Sequence, residues 1–454
     1  MPKKSRKVKK RQVNLTINVV PDYSRAGDSI VYYPNNVLGN GATSIVYGGF
    51  HEVQDRKAAV KRIPKNHYKI FENELEVWRK LTTPDLVNIV GYYARYEDTK
   101  NCAYFIAMEL ALGTLDDVVT GKPNVSAWTK ESCIKYLNDA SQGLEFLHGK
   151  NIIHRDIKPS NIMIFANNDH NDLAKLGDFG ISRIIELNSD QTDSVGKGTY
   201  DWMAPEVLQD YNQVNDDKLP IKFPNTTAID IFCLGQTYFY GISQGEKLFG
   251  NIVFRAHNVL SGNPGDLKKM MKKMSDNDIP LIKLVLEMVK REPTERPTIQ
   301  TVLKHPFHWD NFKFLEFVQD VAGILDNKVK ELQTLEDLDK AYSKYHLQET
   351  GSEFDFEQEM SSNFVALLSA SWKKNYSNDS KSCIKLIELI RDKLAHFSSQ
   401  KEEVNEDCYF GENGKFCKGK YAEYFNQKFP LLGIFLHDFF KRNHLERFYL
   451  ERFY

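Results

Sequence analysis

Apolar positions recur in two ways along this chain, first mixed and later helical only. Leu38 to Tyr47 reads as strand, turn, strand, and Ala58-Ala59-Val60-Lys61 follows at the spacing of the next strand pair. Leu75, Trp78 and Leu81 then recur at helical spacing. Behind residue 309 the apolar positions Phe314, Leu315, Val318, Val321, Ala322 and Leu325 form one helical stripe. Further helical stretches are predicted near 361–372 and 382–395. A last one begins near Tyr421 and carries Phe425, Phe429, Leu432, Phe435 and Phe439, with Pro430 either kinking it or opening a new helix. No Gly/Ser/Pro stretch separates His305-Pro306-Phe307-His308-Trp309 from the stripe behind it, so the helical tail is expected to pack rigidly on what precedes it. No apolar run approaches the roughly 18 residues of a bilayer span.

At 454 residues the chain exceeds one compact core and suggests two or three domains. Net charge is −1, yet Lys3, Lys4, Arg6, Lys7, Lys9, Lys10 and Arg11 crowd the N-terminus. Residues 1–30 are therefore read as a basic, disordered arm on a mildly acidic body. The run from Pro2 to Val8 resembles a short basic nuclear-import signal. The N-terminus lacks the apolar core of a secretory signal, which points to the cytoplasm, with the arm adding the nucleus as an alternative. Six cysteines, at 102, 133, 233, 383, 408 and 417, include no pair at metal-ligand spacing and are expected as free thiols. A Cys408–Cys417 bridge across a hairpin is the alternative.

The first half carries phosphate chemistry. Gly39 and Gly41 would let backbone N–H groups approach phosphates without an intervening Cβ, with Ser44 where a third Gly is common. Lys61 would neutralise the α- and β-phosphates, held by Glu74 in preference to Glu72 or Glu76, because the stripe Leu75, Trp78, Leu81 orders that helix face. His154-Arg155-Asp156-Ile157-Lys158-Pro159-Ser160-Asn161 supplies a carboxylate for the substrate hydroxyl proton, a lysine for the γ-phosphate and an asparagine for metal. Asp178-Phe179-Gly180 supplies a second Mg²⁺ ligand, and Ala204-Pro205-Glu206, Asp230 and Arg296 follow in order. This set resembles the eukaryotic Ser/Thr protein kinases, over 31–308 with an N-lobe to about residue 110. The resemblance implies ATP and Mg²⁺ as ligands and Glu206–Arg296 as a buried ion pair. It adds Leu38, Val46, Ala59, Met108, Glu109 and Ala111 to the nucleotide contacts, and Asn161 and Asp178 as the metal ligands. Ser189, Thr192 and Ser194 are candidate phosphorylation sites, with ordinary loop hydroxyls as the alternative. Thr199 is read as a structural hydroxyl of the substrate platform.

The tail narrows the resemblance. His305-Pro306-Phe307 followed by Leu315-Glu316-Phe317-Val318-Gln319-Asp320-Val321 resembles the kinase-to-nuclease junction of the inositol-requiring-enzyme family. These are the kinase/endoribonuclease sensors of the unfolded protein response, with ribonuclease L as a relative. Ile390-Arg391-Asp392-Lys393-Leu394-Ala395-His396-Phe397 resembles the family's nuclease helix–loop, and Tyr424 to Pro430 its last segment. The fold expected is α+β: a two-lobed kinase, then an all-helical endoribonuclease domain over 309–447 packed on the C-lobe, then a tail at 448–454.

The resemblance implies His396 as general acid, Tyr376 as general base and Arg391 as phosphate stabiliser of a metal-independent RNA cleavage. Asp392 stands where the family usually has Asn. Residues five apart on a continuous helix lie about 140° apart, so a site shared by Arg391 and His396 predicts a helix end between them. Lys373, Lys374, Lys381, Lys385 and Lys393 would draw in an RNA backbone, or line a solvated face. The implied partners are a second copy of the chain, through the kinase, and a stem-loop or single-stranded RNA, with no membrane. ATP, or ADP as an allosteric ligand, would drive the dimer that switches on cleavage. Two readings compete: a kinase whose tail is a dimerisation or docking module, and a kinase whose inactive nuclease binds RNA. The motif at Leu445 to Tyr449 is repeated at Leu450 to Tyr454.

Overall fold

The computed structural model describes residues 22–81, 88–167, 172–185, 199–213, 226–265, 278–328, 337–367, 379–399, 416–444 and 450–454. The chain divides into two compact units, residues 1–71 with 90–110 and residues 72–89 with 111–454. The segment 72–89, counted above with the N-lobe, thus belongs with the second.

The first unit is an antiparallel sheet of β1 (Ser24–Ala26), β2 (Ile30–Asn40), β3 (Ile45–His51), β4 (Arg56–Pro64), β5 (Tyr92–Asp98) and β6 (Ala103–Glu109), in the order β1-β2-β3-β4-β6-β5. Alternation decides its faces. Ala58 and Val60 join Ala26, Ile30, Ala103, Phe105 and Ala107 in one cluster. Lys61, one residue out of step with Val60, points to the opposite face and pairs with Val46 and Ile106. Residues 24–30 correct the expected arm. They form strand and turn, because Ala26 and Ile30 are fully buried and Arg25 grips Glu52 through two hydrogen bonds of 2.9 and 2.7 Å. Helix α1 (Tyr68–Lys80) straddles the division at Phe71.

The second unit is mainly helical. Short strands β7 (Gly113–Thr114), β8 (Ile152–Ile153), β9 (Ile162–Phe165), β10 (Leu173–Leu176) and β11 (Arg183–Ile184) frame the catalytic loop. Around them stand α2 (Leu115–Val119), α3 (Lys130–Gly149), α4 (Pro205–Gln213), α5 (Ala228–Ile242), α6 (Ile252–Ser261), α7 (Ile279–Met288) and α8 (Ile299–Lys304). Helix α5 is buried along its length, with Asp230, Gln236 and Thr237 set among apolar residues, which makes it the axis of this part.

The tail follows without a break as α9 (Asn311–Lys328), α10 (Leu338–Thr350), α11 (Phe356–Glu359), α12 (Ser362–Leu367), α13 (Cys383–Ser399), α14 (Lys418–Lys428) and α15 (Pro430–Arg442). Pro430 opens α15 rather than kinking it, since the first turn of a helix needs no N–H from that residue. The predicted stretch 361–372 is helical to Leu367, and its remainder lies outside the described residues. One core holds the tail, from Trp309, Phe314 and Phe317 through Leu386, Ile390, Tyr421 and Phe425 to Leu432 and Leu436. Leu450 and Phe453 are buried in the same core, so 450–454 is part of the domain rather than an appended tail.

The joint is built from aromatic and imidazole rings. Trp309 donates its indole N–H to the Lys304 carbonyl at 2.8 Å, and the buried Tyr238 hydroxyl on α5 meets His308 Nε2 at 3.1 Å. A Cβ on Gly433 would come within 3.1 Å of the Phe314 ring, so glycine lets α15 lie close against α9. Lys283 on α7 pairs with Glu349 on α10 at 2.7 Å and lies over the Tyr345 ring at 4.4 Å. Among the described residues no helix is long and apolar enough to cross a membrane, and Cys102, Cys133, Cys233, Cys383 and Cys417 are free thiols. Cys408 lies outside the described residues.

Candidate active sites

In the first unit the turn between β2 and β3 is open. The nearest atom to a Cβ built on Gly39 is Val46 Cβ at 4.0 Å, and on Gly41 the Ser44 carbonyl oxygen at 3.5 Å. Neither glycine has a positive φ. Internal packing therefore does not demand glycine at either position, whereas a ligand approaching the backbone would. Leu38 is exposed, Ala59 and Met108 are buried, and Val46 and Glu109 are half-buried. Lys61 is buried on its face of the sheet.

The second unit assembles the catalytic loop around one carboxylate. Asp230, fully buried at the start of α5, accepts the backbone N–H groups of His154 (2.8 Å) and Arg155 (2.7 Å) and contacts His148 Nε2 at 3.0 Å. That grip holds Arg155 at φ +66°, a left-handed conformation costly for a side chain with Cβ. The turn presents Asp156, whose Oδ2 receives Lys158 Nζ at 2.6 Å and Asn161 Nδ2 at 3.0 Å. Its Oδ1 receives the Thr199 hydroxyl at 3.0 Å and the Thr199 N–H at 3.2 Å, and Lys158 also donates to the Thr199 hydroxyl at 2.6 Å. Sequence reading made Thr199 a structural hydroxyl of the substrate platform, and the structure places that hydroxyl on the Asp156 carboxylate.

Asp178 also has a left-handed backbone, with φ +67°. Its neighbours are fixed from two sides. His154 Nε2 meets the Gly177 carbonyl at 3.1 Å, and the Asn73 amide on α1 donates to the carbonyls of Phe179, Gly180 and Ser182 at 3.1, 3.2 and 2.7 Å. Sequence reading missed Asn73, since no pattern marks a hydrogen bond 106 residues away. Of the three candidate carboxylates on α1, Glu74 is fully buried, Glu72 half-buried and Glu76 exposed. Arg296 spends its whole fork on structure, with both terminal nitrogens on Glu206 at 2.7 Å and the rest on the Lys290, Ala228 and Arg291 carbonyls. Ala111 follows β6 outside the strand and is half-buried. Ser189, Thr192 and Ser194 lie outside the described residues.

In the tail, α13 carries the nuclease candidates. Asp339 on α10 accepts the Ile384 N–H at 3.0 Å and the Ser382 hydroxyl at 2.7 Å, which places a carboxylate at the positive end of that helix. Tyr421 on α14 donates to the Ile390 carbonyl at 2.6 Å and fixes the helix beside Arg391. Contrary to the expected helix end, α13 runs unbroken from Cys383 to Ser399. Arg391 and His396 therefore sit on one rod, and the helix backbone does not turn them toward each other. Tyr376 lies outside the described residues, and of His396 only the backbone is described.

Arg391 is engaged by two carboxylates. Its Nε donates to Asp392 Oδ1 at 2.8 Å, a terminal nitrogen pairs with the same residue at 2.8 Å, and the other reaches Asp326 on α9. The described lysines of the expected patch differ in their surroundings. Lys381 pairs with Glu353 at 2.7 Å and Lys385 with Glu388 at 2.8 Å, while Lys373 and Lys374 lie outside the described residues. Lys393 is 4% exposed, and burial pulls its ammonium down to about 8.

Residues 32–308 match the protein kinase domain and residues 313–454 the ribonuclease 2-5A domain. The chain is 27% identical over 438 residues to the sensor for unfolded proteins in the ER ire1 of Schizosaccharomyces pombe, covering 90% of this chain and 38% of that protein. It is 29% identical over 414 residues to the human serine/threonine-protein kinase/endoribonuclease IRE2, covering 90% and 41%. The Caenorhabditis elegans serine/threonine-protein kinase/endoribonuclease ire-1 is 27% identical over 326 residues, covering 69% and 31%. The chain thus spans less than half the length of each of these relatives.

Proposed function

Because this chain belongs to the kinase–endoribonuclease family of the inositol-requiring enzymes and ribonuclease L, we propose that it couples Ser/Thr phosphotransfer to RNA cleavage. The observation that carries the kinase half is the Asp156 carboxylate, with Lys158 and Asn161 on one oxygen and Thr199 on the other. A carboxylate so held accepts the proton of an incoming hydroxyl without first reorganising, and Lys158 lies beside it to neutralise the charge of a transferring phosphoryl group.

Asn161 donates its amide N–H to Asp156, so its carbonyl oxygen is the atom suited to Mg²⁺, together with Asp178. In the first unit Gly39, Gly41 and Lys61 are the groups suited to ATP phosphates, and Leu38, Val46, Ala59 and Met108 to its base. Bound Mg²⁺ would neutralise phosphate charge.

In the nuclease half we assign His396 as general acid, Tyr376 as general base and Arg391 as phosphate stabiliser, with Arg391 and His396 reaching the RNA from different sides of the unbroken α13, about 140° apart. A guanidinium offers a planar fork to phosphate oxygens, and imidazole titrates near neutrality. The products would be a 2′,3′-cyclic phosphate and a free 5′-hydroxyl. Nucleotide binding and autophosphorylation would favour a dimer through the kinase, and the linker-free joint at Trp309 would carry that geometry into the tail.

A second reading, a live kinase with a catalytically dead RNA-binding or dimerisation tail, draws on Asp392 and its hold on Arg391. Stem-loop RNA cleavage decides between them. Protein autophosphorylated with ATP and Mg²⁺, then moved into EDTA, is expected to cut the RNA. His396→Ala should lose cleavage and keep autophosphorylation, and Asp156→Asn should lose phosphotransfer and keep nucleotide-dependent cleavage. Cleavage that survives His396→Ala refutes the site, and wild type that never cuts RNA favours the dead tail.

A further inference from the structure

The nuclease assignment leaves one contact unused. Arg391, the group assigned to RNA phosphate, already holds two carboxylates: Asp392, its own neighbour, and Asp326, 65 residues earlier on α9. The geometry resembles the complex expected with a phosphate, since oxygen acceptors meet both edges of one planar fork. The carboxylates also leave a net negative triad where a phosphodiester would have to dock. An incoming phosphate must displace at least one carboxylate, and like charge opposes its approach.

The two carboxylates differ in what they can do. Asp392 is adjacent to Arg391 on α13 and travels with it. Asp326 belongs to another helix and is the more exposed of the two, its side chain 53% accessible against 34%. It can therefore leave while α13 stays in place. Its helix is also the one that starts at the joint. Asn311 at the first turn of α9 accepts a hydrogen bond from Asn426, and Phe314 and Phe317 pack into the core beside Trp309. Asp326 lies about four turns further along the same rod. A shift of the kinase end of α9 would therefore be felt at Asp326, because a packed helix moves as a body.

We infer that Asp326 is a latch on the nuclease: it fills the phosphate fork of Arg391 in the resting chain, and RNA binds in its place once α9 moves. This rests on the nuclease reading above and adds its regulation. Asp326 is a positioning residue that acts through Arg391, not a catalytic one.

The test uses the full chain and a stem-loop RNA whose loop nucleotides lack the 2′-hydroxyl, so that it binds without being cut. Dissociation constants are read by fluorescence anisotropy at low salt. Asp326→Asn is expected to bind about two- to fivefold more tightly than wild type, the range set by a partly exposed ion pair. Asp326→Glu should match wild type, because it restores the carboxylate. In an Arg391→Gln background the step from Asp to Asn at 326 should have no effect.

Equal affinity of wild type and Asp326→Asn overturns the latch. So does an unchanged gain in the Arg391→Gln background, which would reduce the effect to bulk charge. With cleavable RNA, Asp326→Asn should lower KM and leave kcat unchanged. If no protein cuts that RNA while the affinity gap persists, the nuclease reading falls and the latch remains as a property of an RNA phosphate site.

Discussion

Replacing Asp230 by Ala removes the acceptor on which the catalytic loop is built. Three donors meet that one fully buried carboxylate, the N–H groups of His154 and Arg155 and the His148 ring, at 2.8, 2.7 and 3.0 Å. A buried donor left without an acceptor costs about 1–3 kcal/mol. Both backbone donors lie in a loop that cannot turn to water without unpacking, whereas the His148 ring has some freedom to rotate. The expected loss is therefore about 3–6 kcal/mol, a large share of the roughly 5–15 kcal/mol that holds a domain together. Asp230→Asn keeps one acceptor oxygen and turns an N–H toward a donor, so its cost should lie near the lower end of that range.

Activity should fall further than stability alone explains. This contact network holds Arg155 at φ +66°, and relaxation there moves Asp156 off Thr199 and Lys158. Urea unfolding gives the stability change, and autophosphorylation at a temperature where the variant is still folded gives the catalytic one. An Asp230→Ala protein that loses less than about 1 kcal/mol, or that keeps its phosphotransfer rate when folded, refutes the argument.

Two further outcomes concern the joint. Burial pushes the His308 imidazole down to about 4, against about 6.5 for an ordinary histidine, so between those values the unfolded chain binds the extra proton. Stability should therefore be flat above that window and fall on acidification through it, by at most about 1.4 kcal/mol per pH unit from this residue. His308→Gln should flatten the dependence in urea titrations, and an unchanged slope would contradict the assignment. Lys283→Met removes the Glu349 ion pair and the contact with the Tyr345 ring, at a cost of about 1 kcal/mol. A double-mutant cycle with Glu349→Gln should show coupling, and nucleotide dependence of RNA cleavage should weaken; additive effects would rule the pair out as a strut.

The sequence by itself determined what local spacing dictates. The loop carrying Asp156, Lys158 and Asn161 was legible because local spacing sets them within five positions of one another, and the turn at Asp178 follows 17 residues later. Glu74 was separable from its neighbours because helix periodicity assigns one face to the interior, and the buried Glu74 lies on it. The helical tail followed from its apolar stripe.

What only the tertiary structure decided are the partnerships across long stretches of chain. Asn73 holds the carbonyls around Phe179, Thr199 meets Asp156, and Leu450 and Phe453 complete the core of the helical tail. The continuity of α13 belongs here too: the pattern needed a helix end between Arg391 and His396, and capping by Asp339 with packing by Tyr421 gave an unbroken helix. Asp326 shows the reason most clearly. Nothing within a helical turn of it, or of Arg391, records the other, because an ion pair between two helices depends on how those helices pack rather than on either local sequence.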